Sequence, residues 1–419
     1  MGFRKAAVVI GAASAMASGS ASADELFRVT GTLGNGAGAP TQNFDVSFDN
    51  ARSVIEFTES ERFRREASGY RDDFSTVNGN INFRGLDIGI AFPQLGGSRV
   101  EYSIPEIGLS GAFTGFDRDD SLEQLGDYLL ENSGDILRRI QRALIRSSPN
   151  DPTAGNPNSL QSQMVSQDFA FGGFDSNANV SSSSDTENRL FIGLSAGTFK
   201  AQGVRGRTVN LPLAYTVRFD DDPRYQLQFA LPISYLDQSG AKTGTVGLGA
   251  GFQFPVTSVE SKNQWYLTPR VSIAGVGSAD AGAASILANL SMTSRYVYDA
   301  GDIGSFTLAN MAGYNFSVPF KAGDVKGDYG IKNIVAKNGV MYEKPLDFSF
   351  LGSESTSIQA AYAMTNFGGT DLYMSSFHDV SLTIGTRNAG AIGSLFRLGV
   401  NGTFGRDFNR YVLSFGYAF

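Results

Sequence analysis

The sequence predicts an all-β fold: a transmembrane antiparallel β-barrel of about twelve strands at 189–419, preceded by an N-terminal mixed β/α region with one amphipathic helix. Three observations carry this expectation. The chain opens with an export signal, it has no apolar run long enough for a membrane helix, and its last 231 residues alternate apolar with small or polar side chains at a period of two.

Residues 1–23 have the form of a secretory signal peptide. Arg4 and Lys5 form the basic start, Ala6 to Ala17 the small apolar stretch, and Ala21-Ser22-Ala23 a cleavage site before Asp24. The apolar stretch is too short to anchor in a bilayer. Without Arg4 and Lys5, 32 basic and 41 acidic residues remain, a charge of about −9 that excludes a nucleic-acid partner. The whole chain holds no Cys and one His, so disulfide scaffolds, thiolate zinc sites and Cys nucleophiles are ruled out. No cofactor or metal is expected, and no Gly-rich loop has the context of a phosphate-binding loop.

The barrel segments fall at about 189–200, 206–221, 224–238, 243–257, 264–277, 283–299, 303–320, 329–344, 355–367, 373–387, 393–406 and 409–419. In the third, Tyr225, Leu227, Phe229, Leu231, Ile233 and Tyr235 alternate with Gln226, Gln228, Ala230, Pro232 and Ser234. In the fourth, Val246, Leu248, Ala250, Phe252 and Phe254 face away from Gly247, Gly249, Gly251 and Gln253. A soluble sandwich puts its bulk inside and charge outside. Here one face is apolar with aromatic ends and the other is Gly, Ala, Ser, Thr and Gln, the pattern of lipid outside and a wet or filled lumen inside. A mean hydropathy of −0.12 is the average of those two faces.

Upstream, strand character appears at 25–33, 43–58, 77–92 and 99–114, the last two as a hairpin with register shifts at Arg84-Gly85 and Pro105-Glu106. Within 24–146, Leu122, Leu125, Leu129, Ile136, Ile140 and Leu144 mark an amphipathic helix at 121–146, with acidic residues early, arginines late and Gly126 and Gly134 as weak points. Three placements fit it: inside the lumen, packed on the strands of 24–115, or flat on the membrane surface. Residues 147–188 are rich in Ser, Asn, Pro and Gly, and are expected to be a linker or loop.

The terminal run Tyr411-Val-Leu-Ser-Phe-Gly-Tyr-Ala-Phe419 resembles the last strand of bacterial outer-membrane proteins. That resemblance implies an assembly signal at Tyr411, Phe415, Tyr417 and Phe419, read by the barrel-assembly machinery. A twelve-stranded C-terminal barrel preceded by a helix is similar to the translocator domain of autotransporters, in which the helix threads the pore and the passenger is exported. The likeness covers about 231 residues by architecture and the last nine by motif. The chain departs from that family in its short upstream region, its lack of a β-helix repeat, a gap of about 40 residues between helix and first strand, and no Asn-Asn pair near the junction.

Arg218, Arg270, Arg295 and Arg397 fall on the small or polar face and are expected to line the lumen. They form either an anion-attracting pore wall or partners for carboxylates of an inserted segment, such as the acidic half of 117–135. The Gly247, Gly249 and Gly251 face leaves room for such a segment. His378 shares parity with Val380, Leu382 and Ile384 toward lipid, while Asp379 faces the other way, so an interfacial rather than catalytic role is expected. Asp220-Asp221-Asp222 is a solvated turn rather than a calcium site. The expectation is a non-enzymatic protein of the Gram-negative outer membrane, in contact with its lipid, whose barrel anchors or translocates the N-terminal region through a plugged or gated lumen. A pore for small anionic solutes is the alternative, and a barrel-wall lipid hydrolase comes third. The lumen holds either a small solute or the chain's own N-terminal region.

Overall fold

The computed structural model describes residues 26–36, 38–58, 65–71, 73–174, 188–322, 325–347, 356–386 and 395–418. The signal peptide 1–23, the Ala23-Asp24 junction and Phe419 lie outside these residues.

The N-terminal domain contains β1 (Phe27–Gly34), β2 (Gln42–Phe48), α1 (Ala51–Thr58), β3 (Thr76–Phe83), β4 (Leu86–Phe92), β5 (Val100–Ile104), β6 (Leu109–Phe113), α2 (Arg118–Glu131) and α3 (Ser133–Ser147). Its strands form one antiparallel sheet in the order β2-β1-β3-β4-β5-β6. The expected strand 43–58 is a strand followed by a helix. Asn50 caps α1, its Oδ1 accepting from Ser53 N–H at 2.8 Å, and Ala51, Val54 and Phe57 turn inward. The expected register shifts are turns, so the hairpin becomes four strands: Arg84 and Gly85 both have positive φ, and Pro105–Ile107 is a single 3-10 turn.

The helix expected at 121–146 is two helices, divided at Asn132, whose Nδ2 bonds Tyr128 O at 2.9 Å. Of the three placements, the structure selects packing on the sheet. Leu125, Leu129, Ile136, Ile140 and Leu144 share a core with Val29, Phe83, Leu86, Ile88 and Ile104. Burying each such side chain contributes roughly 1.5–3 kcal/mol. Val204, Ala241 and Ala281, from three turns of the barrel, enter the same core.

The barrel is closed by twelve antiparallel strands: β7 (Arg189–Ala201), β8 (Val204–Arg218), β9 (Gln226–Gln238), β10 (Ala241–Pro255), β11 (Gln264–Ser278), β12 (Ala283–Asp299), β13 (Ser305–Ser317), β16 (Lys332–Leu346), β17 (Thr356–Gly369), β18 (Ser376–Thr386), β19 (Leu395–Gly405) and β20 (Phe408–Ala418). A short hairpin, β14 (Phe320–Ala322) with β15 (Val325–Gly327), interrupts the connection from β13 to β16. β20 pairs with β7 from Phe408↔Ala201 to Ala418↔Phe191, and so leaves no free edge.

The outward positions form a continuous apolar belt. Ile233 pairs across from Val246, Leu248 from Ile273, Val271 from Leu290, Leu382 from Val400 and Leu398 from Phe415, all exposed apart from the strand interface itself. With every strand paired and the apolar face outward, the barrel spans a bilayer with its backbone satisfied. Among the described residues no helix is long and apolar enough to cross a membrane.

Alternation of direction divides the connections between two ends. The turns after β7, β9, β11, β13, β17 and β19 lie at one end, here called the mouth; the start of β7 and the end of β20 lie at the other. The N-terminal domain sits on the mouth. Ala51 N–H bonds Asp280 O at 2.9 Å, and the barrel turns that join its core are all mouth turns.

Candidate functional site

Residues 147–188 are expected to be a linker or loop; Ser147 instead ends α3, and 148–174 is a folded and largely buried segment. It contains α4 (Leu160–Phe169), opened by a Ser159 cap on Ser162 N–H, and a π-helical turn at Ala170–Phe174. The side chains of Leu160, Met164, Val165 and Phe169 are buried with barrel-wall residues such as Ala274, Leu287, Met311 and Val335.

The polar contacts of this segment trace its path. Near the mouth, Gln238 of β9 donates to Asn150, and Arg410 of β20 donates to Asn158 Oδ1 at 3.0 Å. Further along, Gln161 donates to Asn333 of β16 at 3.1 Å, and Gln163 Oε1 accepts from Ser234 of β9 at 2.7 Å and Thr245 of β10 at 3.2 Å. Asp168 then meets β11 and β12. A segment bonded to β9, β10, β11, β12, β16 and β20 runs between them, on the inner side of the wall. It also descends. Asp168 bonds Asn289 of β12, whereas Gly172 packs against Thr293, four residues farther from the mouth. A Cβ on Gly172 would lie 2.6 Å from Thr293 Cβ, so only glycine permits this approach.

Asp168 is the centre of the polar cluster that the described part of the segment makes farthest from the mouth. Its Oδ1 faces Arg270 Nε at 3.2 Å, while Oδ2 accepts from Ser272 Oγ at 2.8 Å and Asn289 Nδ2 at 2.6 Å. Arg270 Nη1 donates to Gln228 Oε1 at 3.0 Å, and its guanidinium lies 4.9 Å from the Phe171 ring centre. The ion pair is almost wholly buried. Gly249 and Gly251 make room for Arg270: a Cβ on Gly251 would lie 2.6 Å from Arg270 Cγ. The small-residue face of β10 is thus the space that the arginine fills.

A second cluster lies across the lumen. Lys337 Nζ bonds Asp379 Oδ2 at 2.6 Å and Ser166 Oγ of α4 at 3.2 Å. Thr403 donates to Asp379 Oδ1 at 2.8 Å and accepts from Arg410 Nη2 at 2.9 Å. At the mouth, Asp151 and Arg84 form an ion pair of 3.7 Å that joins the segment to the β3–β4 turn, with both side chains at most 1% exposed. Burial pushes the Asp151 carboxyl up and the Arg84 guanidinium down, each opposed by the other's charge.

The four arginines singled out from the sequence take separate roles. Arg270 meets the inserted segment through Asp168. Arg295 donates to Gln253 Oε1 at 3.1 Å and lies 4.4 Å from the Tyr266 ring centre; Arg397 bonds Thr383, Ser357 and, at 4.0 Å, Glu343. Arg218 is buried near the barrel termini, its backbone N–H donating to Asn188 Oδ1 at 2.9 Å. The acidic half of 117–135, considered as their partner, stays on the N-terminal domain: Asp117 and Asp120 bond backbone groups around the start of α2. Among the described residues of the segment, Asp168 is the carboxylate that meets Arg270 in the lumen.

His378 does not meet Asp379. Its Nδ1 is 2.8 Å from Tyr362 Oη, and the two rings stack on the wall, while Asp379 is held by Lys337 and Thr403. Tyr411 and Phe415 of the assembly signal are exposed on the outer face of β20, and Tyr417 is half-buried. Asp222 is occupied by Arg224, whose Nη2 donates to its Oδ2 at 2.7 Å. This bond holds the Asp222 carboxyl below its usual range, against the opposing effect of burial. Among the described residues no group of acidic or imidazole side chains has metal-ligand geometry.

No protein-family model matches the sequence, and no curated protein matches it. Solved structures similar in fold include the β domain of the Bordetella autotransporter BrkA, at 11% identity and TM-score 0.43, covering 55% of this chain and 98% of that one. The translocator domain of the autotransporter NalP from Neisseria meningitidis has 11% identity and TM-score 0.43, covering 62% and 95%. An outer membrane channel from Pseudomonas putida F1 has 12% identity and TM-score 0.39, covering 57% and 100%. These likenesses concern the barrel fold alone. The closed twelve-stranded barrel and its apolar belt make this chain an integral protein of the Gram-negative outer membrane.

Proposed function

We propose that the barrel anchors its own N-terminal domain at one face of the membrane, and that the segment 148–174 keeps the lumen closed as it passes through. The observation that carries this is the set of side-chain bonds from Asn150 to Asp168 onto six strands of the wall. A solute pathway needs a continuous wet channel, and these bonds occupy the inward groups that would line one. No bond-making or bond-breaking step is needed for anchoring, so the role is non-enzymatic.

Planar-bilayer recording tests the closed lumen. The full chain should give no steady conductance, and a chain lacking residues 24–174 should open a channel. A second reading, a pore for small anionic solutes, is favoured by the inward Arg218 and Arg295, both buried, and the partly buried Arg397. Large anion-selective currents from the full chain, unchanged by that deletion, would overturn closure in favour of the pore. Protease added to intact cells reports the face that carries the domain: cleavage within 26–147 means surface display, and protection means the periplasmic side.

A further inference from the structure

We propose that the cleft between α3 and the connection from β17 to β18 binds the phosphate-bearing headgroup of a lipid. The cleft, about 410 Å³, lies where the N-terminal domain meets the barrel rim. Arg139, Arg142 and Arg146 line one side and Thr370 and Asp371 the other, with Glu106 among its walls. Spacings of three and four place the three guanidinium groups along one face of α3.

Each guanidinium is fixed by a backbone carbonyl of another element. Arg139 donates to Ile107 O, Arg142 Nη2 to Gly330 O at 3.1 Å, and Arg146 Nη2 to Glu106 O at 3.2 Å. A carbonyl orients a guanidinium without neutralising it, and each Arg has five N–H donors to offer. Arg139 also has Asp135 at 3.8 Å, so Arg142 and Arg146 supply most of the attraction. Lys332, exposed at the start of β16 with its backbone N–H on Thr370 Oγ1 at 2.9 Å, brings a fourth cationic residue to this rim. A helix C-terminus favours cations by its dipole alone. The dipole does not explain exposed arginines pinned across a cleft to other elements.

Position supplies the second argument. Ile334, two residues from Lys332 on β16, is 66% exposed on the outer wall and pairs with Gly368. Asp371 is three residues beyond Gly368, so at the rise of a strand the cleft lies within about 10 Å of the lipid-facing belt. The headgroup layer, about 5–8 Å deep in each leaflet, begins at the edge of that belt. The proposal needs only that the barrel spans the membrane, and holds for whichever leaflet meets the mouth.

Native mass spectrometry of the full chain in non-ionic detergent, with added phosphatidylglycerol or diphosphorylated lipid A, tests it. Wild type should retain a phosphate-bearing lipid in preference to diacylglycerol. The Arg142→Gln, Arg146→Gln double variant should weaken retention by about tenfold or more per arginine, the scale of a lost hydrogen bond to a charged group. Arg138→Gln, exposed on the same helix outside the cleft, should retain the lipid, and heat-modifiable gel migration confirms that each barrel is folded. Equal retention in the double variant and wild type, or no retention by wild type, overturns the site. Displacement of the lipid by an equal concentration of inorganic phosphate overturns the lipid as source and assigns the cleft to the free anion.

Discussion

The barrel wall and the segment inside it are held by opposite means. Along the wall the strands are joined by backbone ladders to both neighbours, and the outward side chains form an exposed apolar belt. Within 148–174 the regular backbone amounts to one short helix and a π turn, and individual side chains make the connection to the wall. Wall stability is therefore spread over many equivalent bonds. The segment is tied through separate polar contacts, among them those at Asp151, at Ser166 with Lys337, and at Asp168. A large barrel can keep its shape while a chain within it is released, and single substitutions should separate the two.

The largest effect is expected at the mouth. Asp151→Ala leaves the Arg84 charge buried, and breaking one partner of a buried pair costs about 3–5 kcal/mol. Thermal unfolding of the N-terminal domain should move down sharply while heat-modifiable gel migration still reports a folded barrel. Asp151→Leu combined with Arg84→Met should recover most of the loss; no recovery means that shape, not charge, holds this junction. On the wall, Leu248→Arg puts a cation on the lipid side of β10, where Leu248 is 62% exposed. Folding into vesicles should lose about 2–4 kcal/mol if the residue lies near the midplane, and less toward the interfaces. Arg at inward positions of other wall strands is already tolerated, as Arg218 of β8 and Arg270 of β11 are.

The same contrast explains what the amino-acid sequence disclosed. A strand buried on one face and in lipid on the other must alternate, so 264–277 and 283–299 were legible nearly to the residue against the observed 264–278 and 283–299. The helical stripe from Leu122 to Leu144 was equally plain, because one face packs on a sheet. Segment 148–174 faces wall on every side. Its apolar and polar residues point outward in all directions to match different strands, which erases any period, and its Ser, Asn, Pro and Gly content imitates a linker. One signal was available: Asp168 is the only charged residue in 152–174. A lone carboxylate beside Leu160, Met164 and Phe169, in a chain with inward arginines on its strands, calls for a buried partner. Parity then placed Arg270 on the correct face but left its partner to be sought in the wrong acidic stretch, 117–135. The Arg84–Asp151 pair had no sequence signature, since 67 residues separate two ordinary turn residues.

Asp168→Asn addresses the middle of the segment. The amide keeps the shape but loses the charge that faces Arg270, and accepts fewer of the bonds from Ser272 and Asn289. The expected loss is about 2 kcal/mol. It should appear as transient channel openings and faster proteolysis within 148–174, with barrel migration on gels unchanged. In a double-mutant cycle with Arg270→Gln the two effects should fall short of additive. Full additivity would mean that Asp168 and Arg270 act independently, and that the segment is held by its apolar contacts.

The smallest effect is expected at the turn from β8 to β9, which belongs to the wall but is held, like the segment, by a side-chain pair. Arg224 donates to Asp222 at 2.7 Å and to Thr257 O at 3.0 Å, tying two neighbouring turns together. Because the bond lowers the Asp222 pKa from 3.8, its contribution is present above that value and fades as pH falls through the lower folded value. The pair is partly exposed, so Asp222→Asn should cost only about 0.5 kcal/mol at neutral pH. Urea unfolding of the barrel at pH 7 and pH 3 measures both quantities, and the difference between wild type and variant should shrink at the lower pH. A loss as large as that for Asp168→Asn would remove the distinction between wall and segment, because it would show the wall hanging on single side chains as well.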